Sequence, residues 1–281
     1  MGAIITLTTD FGLADGYVAA MKGVVLGINP EANLVDICHS IKPQNVSQAA
    51  FVLSTSCEFF PRHTIHLVVV DPRVGTDRRA IILRTPMADF VAPDNGVLSY
   101  VIQQYSAQPM DANQQQIKLG PGLEAVAITK SQFWRSPVSA TFHGRDIFAP
   151  VAAHLSLGSP PADFGEATTS LTVLPLTRPY QAPDGTLVGH IRHIDNFGNL
   201  ITSIKGSDLP KKVEAITVEV GNKIISGLSQ TYGTGEGLLA LIGSSGYLEI
   251  SLKEGNASTF LKADVGDEVK IIKSTSKLPD F

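Results

Sequence analysis

The stretch Thr64-Ile65-His66-Leu67-Val68-Val69-Val70-Asp71, TIHLVVVD, is apolar on both faces from Leu67 to Val70 and then stops on a carboxylate. Strands covered by helices on both sides read this way, whereas a strand with one wet face alternates. The stretch predicts a central strand of an α/β sheet with Asp71 at its carboxyl end. Working outward, AIITLTT (3–9) and NLVDI (33–37) precede it, separated by helical spacing near 16–28. A second helix starts at Asn45, which is placed to cap it, and Val46, Ala49, Ala50, Leu53, Cys57 and Phe60 share one of its faces. Downstream come AIILRT (80–85), DFVAP (89–93), a helix near 97–105, EAVAIT (124–129) and a helix through Phe148–Leu155. Strands alternating with helices define an α/β domain.

Between about 158 and 184 the pattern dissolves, with Pro160, Pro161, Pro175, Pro179 and Pro183 in the segment. Beyond it, short runs from TLVGHIRHID (186–195) to DEVKIIK (267–273) are separated by Gly, Asn and Asp turns, with no helical periodicity. The expected architecture is an α/β N-terminal domain (1–170), with a mixed, mainly parallel sheet flanked by helices. A linker (171–184) and a small all-β, barrel-like domain (185–281) follow.

A chain of 281 residues that is 43% hydrophobic can bury a large core, and its length favours two domains. A formal net charge of -4 without a run of Lys or Arg argues against a nucleic-acid or membrane-surface footprint, leaving a small molecule as the expected partner. Two cysteines, Cys38 and Cys57, without CxxC spacing indicate neither a disulfide framework nor a zinc ribbon, so a cytoplasmic protein is expected. The N-terminus lacks a basic leader, and no apolar run approaches the length of a membrane span.

In open α/β sheets ligands bind beyond the carboxyl ends of strands. That rule selects Asp10, which ends the first strand, and Asp71. After Asp71, Pro72 fixes φ and Gly75 permits a tight loop that can return Arg78 to the strand end. The other reading is an Asp-Pro turn with an exposed Arg78-Arg79 pair. In SATFHGRDIFAP (139–150), Pro150 belongs in a first helical turn, so the helix should start between Asp146 and Ala149, with Asp146 as its cap. His143 and Gly144 then precede a helix N-terminus, where Gly144 allows close backbone approach; a structural histidine is the alternative.

Other signals fail their context. His190 and His193 in HIRH should point to opposite faces of a strand, which disfavours zinc. YGTGEG (232–237) precedes a strand-like run and not a helix, so it is no dinucleotide fingerprint. HIDNFGNLIT (193–202) holds Asp195 and Asn199 about an aromatic and a glycine, where an ordinary hairpin is the competing reading.

Taken in order, TLTTDFG (6–12), VVVDPRVGTDRRAI (68–81), APDNGVLS (92–99), TFHGRDIFAPVAAHL (141–155), IDNFGNLIT (194–202), SSGYLEI (244–250) and GNAS (255–258) resemble the S-adenosylmethionine hydroxide adenosyltransferases. These are hydrolase relatives of the enzymes that fluorinate and chlorinate S-adenosylmethionine. The resemblance implies an α/β domain followed by a β-barrel, homotrimers with sites at subunit interfaces, and no metal or cofactor. It implies attack of water or hydroxide on the ribose 5'-carbon of S-adenosyl-L-methionine, giving adenosine and L-methionine. Asp71, Arg78 and His143 fall on the family's reacting centre. Asp10 matches the carboxylate that accepts from the ribose hydroxyls, and Asp15 and Asp195 lie at positions near the methionine ammonium. Phe197, Asn199, Tyr232, Asn256 and Ala257 match the adenine pocket. Ser245 stands where fluorinating relatives have an Arg, so Ser244 and backbone N–H groups are the expected contacts of the methionine carboxylate.

Those relatives carry Tyr at the places of Asp71 and His143, and the fluorinating ones Ser at that of Gly144. They also have a longer insertion where only Thr85–Ala88 link two strands here. Hydroxide is therefore the expected nucleophile. A halide-using adenosyltransferase and a non-catalytic S-adenosylmethionine or adenosine binding module are the alternatives.

Overall fold

The computed structural model describes residues 2–106, 113–210, 216–234 and 236–273. Its contacts divide the chain into two units, 1–176 and 177–281.

The first unit contains β1 (Ile4–Thr9), α1 (Tyr17–Ile28), β2 (Asn33–Cys38), α2 (Val46–Ser56), β3 (Thr64–Val69), β4 (Ala80–Arg84), β5 (Ala88–Pro93), α3 (Ser99–Gln104), β6 (Gln116–Lys118), β7 (Glu124–Ile128), α4 (Ala149–Ser156), β8 (Gly165–Thr168) and β9 (Ser170–Thr172). Seven strands form one sheet in the order β2-β1-β3-β5-β4-β7-β8. Neighbours from β2 to β5 are parallel, and only β4 and β8 run against the rest. The expected mixed, mainly parallel sheet is thus present. β3 is buried at every position, as its two-faced apolar run requires.

Side chains alternate across a strand, so β1 and β3 present two faces. Ile5, Leu7, Ile65, Leu67 and Val69 pack with residues of α1 and α4 in one core. The other face carries Thr6 beside His66, paired in register with Thr6 Oγ1 2.8 Å from His66 Nδ1. His66 stacks on Phe90 at 4.8 Å between ring centroids, and burial pushes its pKa down to about 4. α2 begins as expected: Asn45 accepts the Gln48 N–H at 2.9 Å.

The proline-rich segment is more ordered than its composition suggests. β9 pairs with β6, and Leu171, Val173 and Leu176 are buried. The stretch expected as a linker (171–184) therefore contributes its first residues to the core of the first unit. Pro175, Pro179 and Pro183 lie between or beside these short pieces, not within them.

The second unit contains β10 (Tyr180–Gln181), β11 (Leu187–Ile194), β12 (Leu200–Lys205), β13 (Ile216–Val220), β14 (Lys223–Ser226), β15 (Leu238–Ile242), β16 (Tyr247–Leu252), α5 (Ala257–Leu261) and β17 (Glu268–Lys273). Its sheet runs β14-β13-β17-β11-β12-β16-β15, antiparallel throughout, with β10 added beside β11. β11 pairs with β17 through its first half and with β12 through its second, turning the sheet on itself. The Ser229 N–H donates to Ala240 O at 2.7 Å, bringing the chain after β14 against β15 and nearly closing a barrel. α5 was not expected, because one turn is too short to display a period of 3.6. Asn256 caps it, accepting the Thr259 N–H at 2.8 Å.

Candidate active site

Thr9 and Val69 are register partners in the parallel pair β1–β3, so the next residues of both strands leave the sheet at one edge. Asp10 and Asp71 emerge there and line a pocket of about 380 Å³ together with Tyr17, Phe142 and His143.

The loop after Asp71 folds back through turn hydrogen bonds from Val74 N to Asp71 O and from Thr76 N to Arg73 O, both 3.2 Å. Gly75 sits at φ +77, and a Cβ there would lie 2.4 Å from Ala140 O. Only glycine serves both demands. It lays this loop against the segment that carries His143 and lets Arg78 return. Arg78 Nε donates to the two oxygens of Asp71 at 3.0 and 2.8 Å, and both side chains are 4% exposed. The alternative of an exposed arginine pair is thereby excluded for Arg78. Its neighbour Arg79 takes the other direction, to Asp94 Oδ2 at 2.9 Å, Thr168 Oγ1 at 2.7 Å and Ser170 O at 2.8 Å.

Arg78 Nη2 also donates to His143 Nδ1 at 2.9 Å, and its guanidinium lies 5.2 Å from the centroid of Phe148. A guanidinium has no acceptor, so His143 Nδ1 presents a lone pair and the ring proton resides on Nε2. Burial lowers the His143 pKa below the usual histidine value, helped by the Arg78 charge and opposed by Asp71 and Asp146. The ring is therefore neutral at pH 7.

His143 leads into one turn of π-helix, Gly144–Phe148, followed by α4 with Pro150 in its first turn, as the sequence predicts. Asp146 does not cap the helix as expected. It is fully buried, and its carboxylate accepts the Ser139 N–H at 2.9 Å and Arg145 Nε at 2.7 Å. A Cβ on Gly144 would lie 3.2 Å from Met21 Sδ and 3.3 Å from Val69 Cγ1, so this point of the wall is filled from behind.

Asp10 Oδ2 accepts the Gln44 N–H at 2.7 Å, a contact that brings the loop before α2 to the pocket. Gln44 was missed by sequence reasoning; its positive φ of 65 belongs to a polar residue in a loop, and no spacing marks it. Tyr17 and Phe142 were missed as pocket residues as well, although both lie within two residues of motif positions. Phe142 packs edge-on to Phe11 and Tyr17, at 5.7 and 5.2 Å. Asp15 is exposed between β1 and α1 and is not among the residues that line this pocket.

In the second unit, Asp195, Phe197, Asn199, Asn256 and Ala257 form one constellation. Asp195 Oδ1 accepts the N–H groups of Phe197 and Asn199, and its Oδ2 accepts Asn199 Nδ2, each at 2.9 Å. The turn is thus a self-contained hairpin, and it also presents Phe197 75% exposed. Gly198, at φ +85, packs so tightly on the Asn256 side chain that a Cβ would lie 2.1 Å away. The Ser258 N–H donates to Gly198 O at 3.0 Å, tying the start of α5 to the same turn. Tyr232, 50% exposed, donates to Glu249 Oε1 at 2.6 Å, and burial together with this carboxylate pushes its pKa up. Ser244 lies in the β15–β16 turn, apart from these contacts. Among the described residues, no three His, Cys, Asp or Glu side chains gather as a metal site. No described helix is long and apolar enough to cross a membrane.

The α/β unit, with an Asp–Arg–His chain at its strand ends, and the antiparallel barrel, with an exposed aromatic turn, each match a known domain. Residues 5–165 match the SAM hydroxide adenosyltransferase N-terminal domain and residues 189–270 the C-terminal domain of the same enzymes, and the chain belongs to this family. It is 37% identical to the (R)-S-adenosyl-L-methionine hydrolase of Salinispora tropica, over 95% of this chain and 97% of that protein. The enzyme of the same name from Methanocaldococcus jannaschii is 35% identical, over 96% and 95%. A fluorinase from Nocardia brasiliensis is 28% identical over 95% and 97%. Among solved structures, an uncharacterized conserved protein from Thermotoga maritima superposes with a TM-score of 0.84 at 37% identity, covering 96% of this chain and all of that one.

Proposed function

We propose that this protein hydrolyses S-adenosyl-L-methionine to adenosine and L-methionine by in-line attack of water or hydroxide on the ribose 5'-carbon. The observation that carries the reading is the chain Asp71–Arg78–His143 at the strand-end pocket, with the Asp71 and Arg78 side chains buried. As the C–O bond forms, the C–S bond breaks and its electron pair returns to sulfur, giving a neutral thioether. A sulfonium leaves without acid help, so the protein's work is to hold and ionise the water. Orientation of this kind supplies up to about 7–11 kcal/mol in favourable cases. His143 Nε2–H donates to the attacking oxygen, Arg78 supplies positive potential that favours hydroxide, and Asp71 receives the proton. Asp10 binds the ribose hydroxyls with the acceptor capacity left beside its bond to Gln44.

Phe197 and Tyr232 offer exposed aromatic faces to adenine, with Asn199, Asn256 and Ala257 at its edge. Asp15 and Asp195 face the methionine ammonium, and Ser244 its carboxylate. The proposal includes a homotrimer with sites at subunit interfaces, catalysis without metal or cofactor, and a cytoplasmic location. Support for hydroxide over halide comes from Gly144, which offers the pocket no side-chain hydroxyl to hold a halide.

The test is incubation of metal-stripped protein with S-adenosylmethionine in oxygen-18 water, with and without chloride, and mass analysis of the nucleoside. Adenosine labelled at the 5'-oxygen is expected. A 5'-halo nucleoside would move the protein to the halogenating branch, and unreacted substrate would leave a binding module.

A further inference from the structure

Resting on the hydrolase reading, we propose that Arg145 and Asp146 are positioning residues that set the place of His143 relative to Arg78. The segment from Ser139 to Asp146 is a loop closed on itself. Its last residue grips its first, carboxylate to Ser139 N–H at 2.9 Å, and the Asp146 N–H donates to Phe142 O at 3.2 Å. The Arg135 N–H donates to Asp146 O at 2.9 Å, fastening the preceding segment to the same point. His143 rides inside this closed loop.

Arg145 locks the closure. Its Nε and Nη2 take the two oxygens of Asp146 at 2.7 and 2.9 Å, while its guanidinium carbon stands 5.1 Å from the centroid of Phe142. A planar fork can satisfy a carboxylate and cover an aromatic ring together, which an ammonium cannot. Phe142 is one residue from His143 and is fixed further by its edge contacts with Phe11 and Tyr17. Burial opposes ionisation of Asp146, but the Arg145 bonds, the Ser139 N–H and the charges of Arg145 and Arg135 outweigh it, and the carboxyl stays below its usual pKa. The anchor is therefore ionised throughout the neutral range. Neither residue lines the pocket, so both act through Phe142 and His143.

The experiment compares wild type with Arg145→Gln, Arg145→Lys and Asp146→Asn, measuring kcat and KM for S-adenosylmethionine and the nitrogen-15 signals of His143 in the ligand-free protein. In Arg145→Gln we expect kcat to fall by about 10²-fold, the loss that a misplacement near 1 Å produces. KM should stay near its wild-type value, and the His143 Nδ1 signal should shift as its contact with Arg78 loosens. Arg145→Lys keeps a cation over Phe142 and should recover part of the rate. Should Asp146→Asn fail to fold, the half-exposed Arg145 site still decides. Unchanged His143 signals in a folded Arg145→Gln overturn the proposal whatever the rate. A wild type without hydrolase activity refutes the hydrolase reading instead, and the nitrogen signals alone then judge the positioning role.

Discussion

Arg78 and His143 meet at 2.9 Å with the guanidinium as donor, so one nitrogen of the imidazole is already spent before any ligand arrives. The ring can hand a hydrogen bond into the pocket through Nε2, and protonating Nδ1 requires that the contact with Arg78 break. Arg78 in turn is held by Asp71, through Nε and through the same Nη2 that meets the ring. The three side chains have a direction, carboxylate to guanidinium to imidazole, that fixes a tautomer as well as a position.

A pH dependence follows from that direction. The neutral ring is the working form, and burial with the Arg78 charge depresses its pKa. Activity should therefore persist as pH falls below the ordinary histidine value of about 6.5 and be lost only at the lower, depressed pKa. Arg78→Gln removes one depressing charge, so its acid limb should move up in pH at reduced kcat. A wild-type acid limb above the ordinary histidine value would contradict the assignment.

Removing the reacting groups should separate chemistry from binding. His143→Ala and Arg78→Ala are each expected to lower kcat by about 10²–10⁴-fold, with adenosine affinity measured by calorimetry close to wild type. Full turnover in both variants would take them out of the mechanism.

Asp10→Ala should act on affinity. A hydrogen bond to a charged group contributes about 1.5–3 kcal/mol, so adenosine binding should weaken roughly 10- to 100-fold. Unchanged adenosine affinity in a calorimetric titration would end the ribose role of Asp10.

Gly75→Ala should be costly out of proportion to one methyl group. The residue has φ +77, and the added carbon meets Ala140 O at 2.4 Å. We expect a loss of more than about 1 kcal/mol in urea unfolding, accompanied by reduced kcat because the two loops part. Stability within error of wild type would show that the loops do not need this contact.

His66 makes stability acid-sensitive. Its folded pKa of about 4 lies below its unfolded value, so its contribution is complete above the unfolded pKa and is lost as pH falls toward the folded one. The effect is on the order of 3 kcal/mol at its limit. Unfolding free energy should decline between roughly pH 6.5 and 4, and the decline should be shallower in His66→Phe. Parallel profiles for the two proteins would refute this.

The sequence was most legible where one physical demand dominates a residue. The two-faced apolar run of β3 announced a central strand, strand polarity put Asp10 and Asp71 on one edge, and Pro150 fixed the start of α4. Gly75 foretold the return of Arg78, although the close approach to Ala140 that makes glycine obligatory joins residues far apart in sequence. Long-range polar pairing was the illegible part. Asp146 reads as a cap because it precedes a helix, yet its partners are Ser139 and Arg145. β8 and β9 hide in a polar, proline-rich stretch because short edge strands need no alternating pattern. In the second unit the exposed turn at Phe197 was visible as a motif, while its support from Asn256 was not.

Arg78 and Arg79 are adjacent and point to opposite destinations, one to Asp71 and His143, the other to Asp94 and the outer strands through Thr168 and Ser170. Because side chains alternate strictly along an extended chain, a slip of one residue would exchange the two. The dipeptide consequently works as a register lock. A change of length in the loop from Pro72 to Asp77 must therefore spare the Gly75 contact with Ala140 and also keep this pair in phase, if the edge of the sheet and the reacting centre are both to be retained.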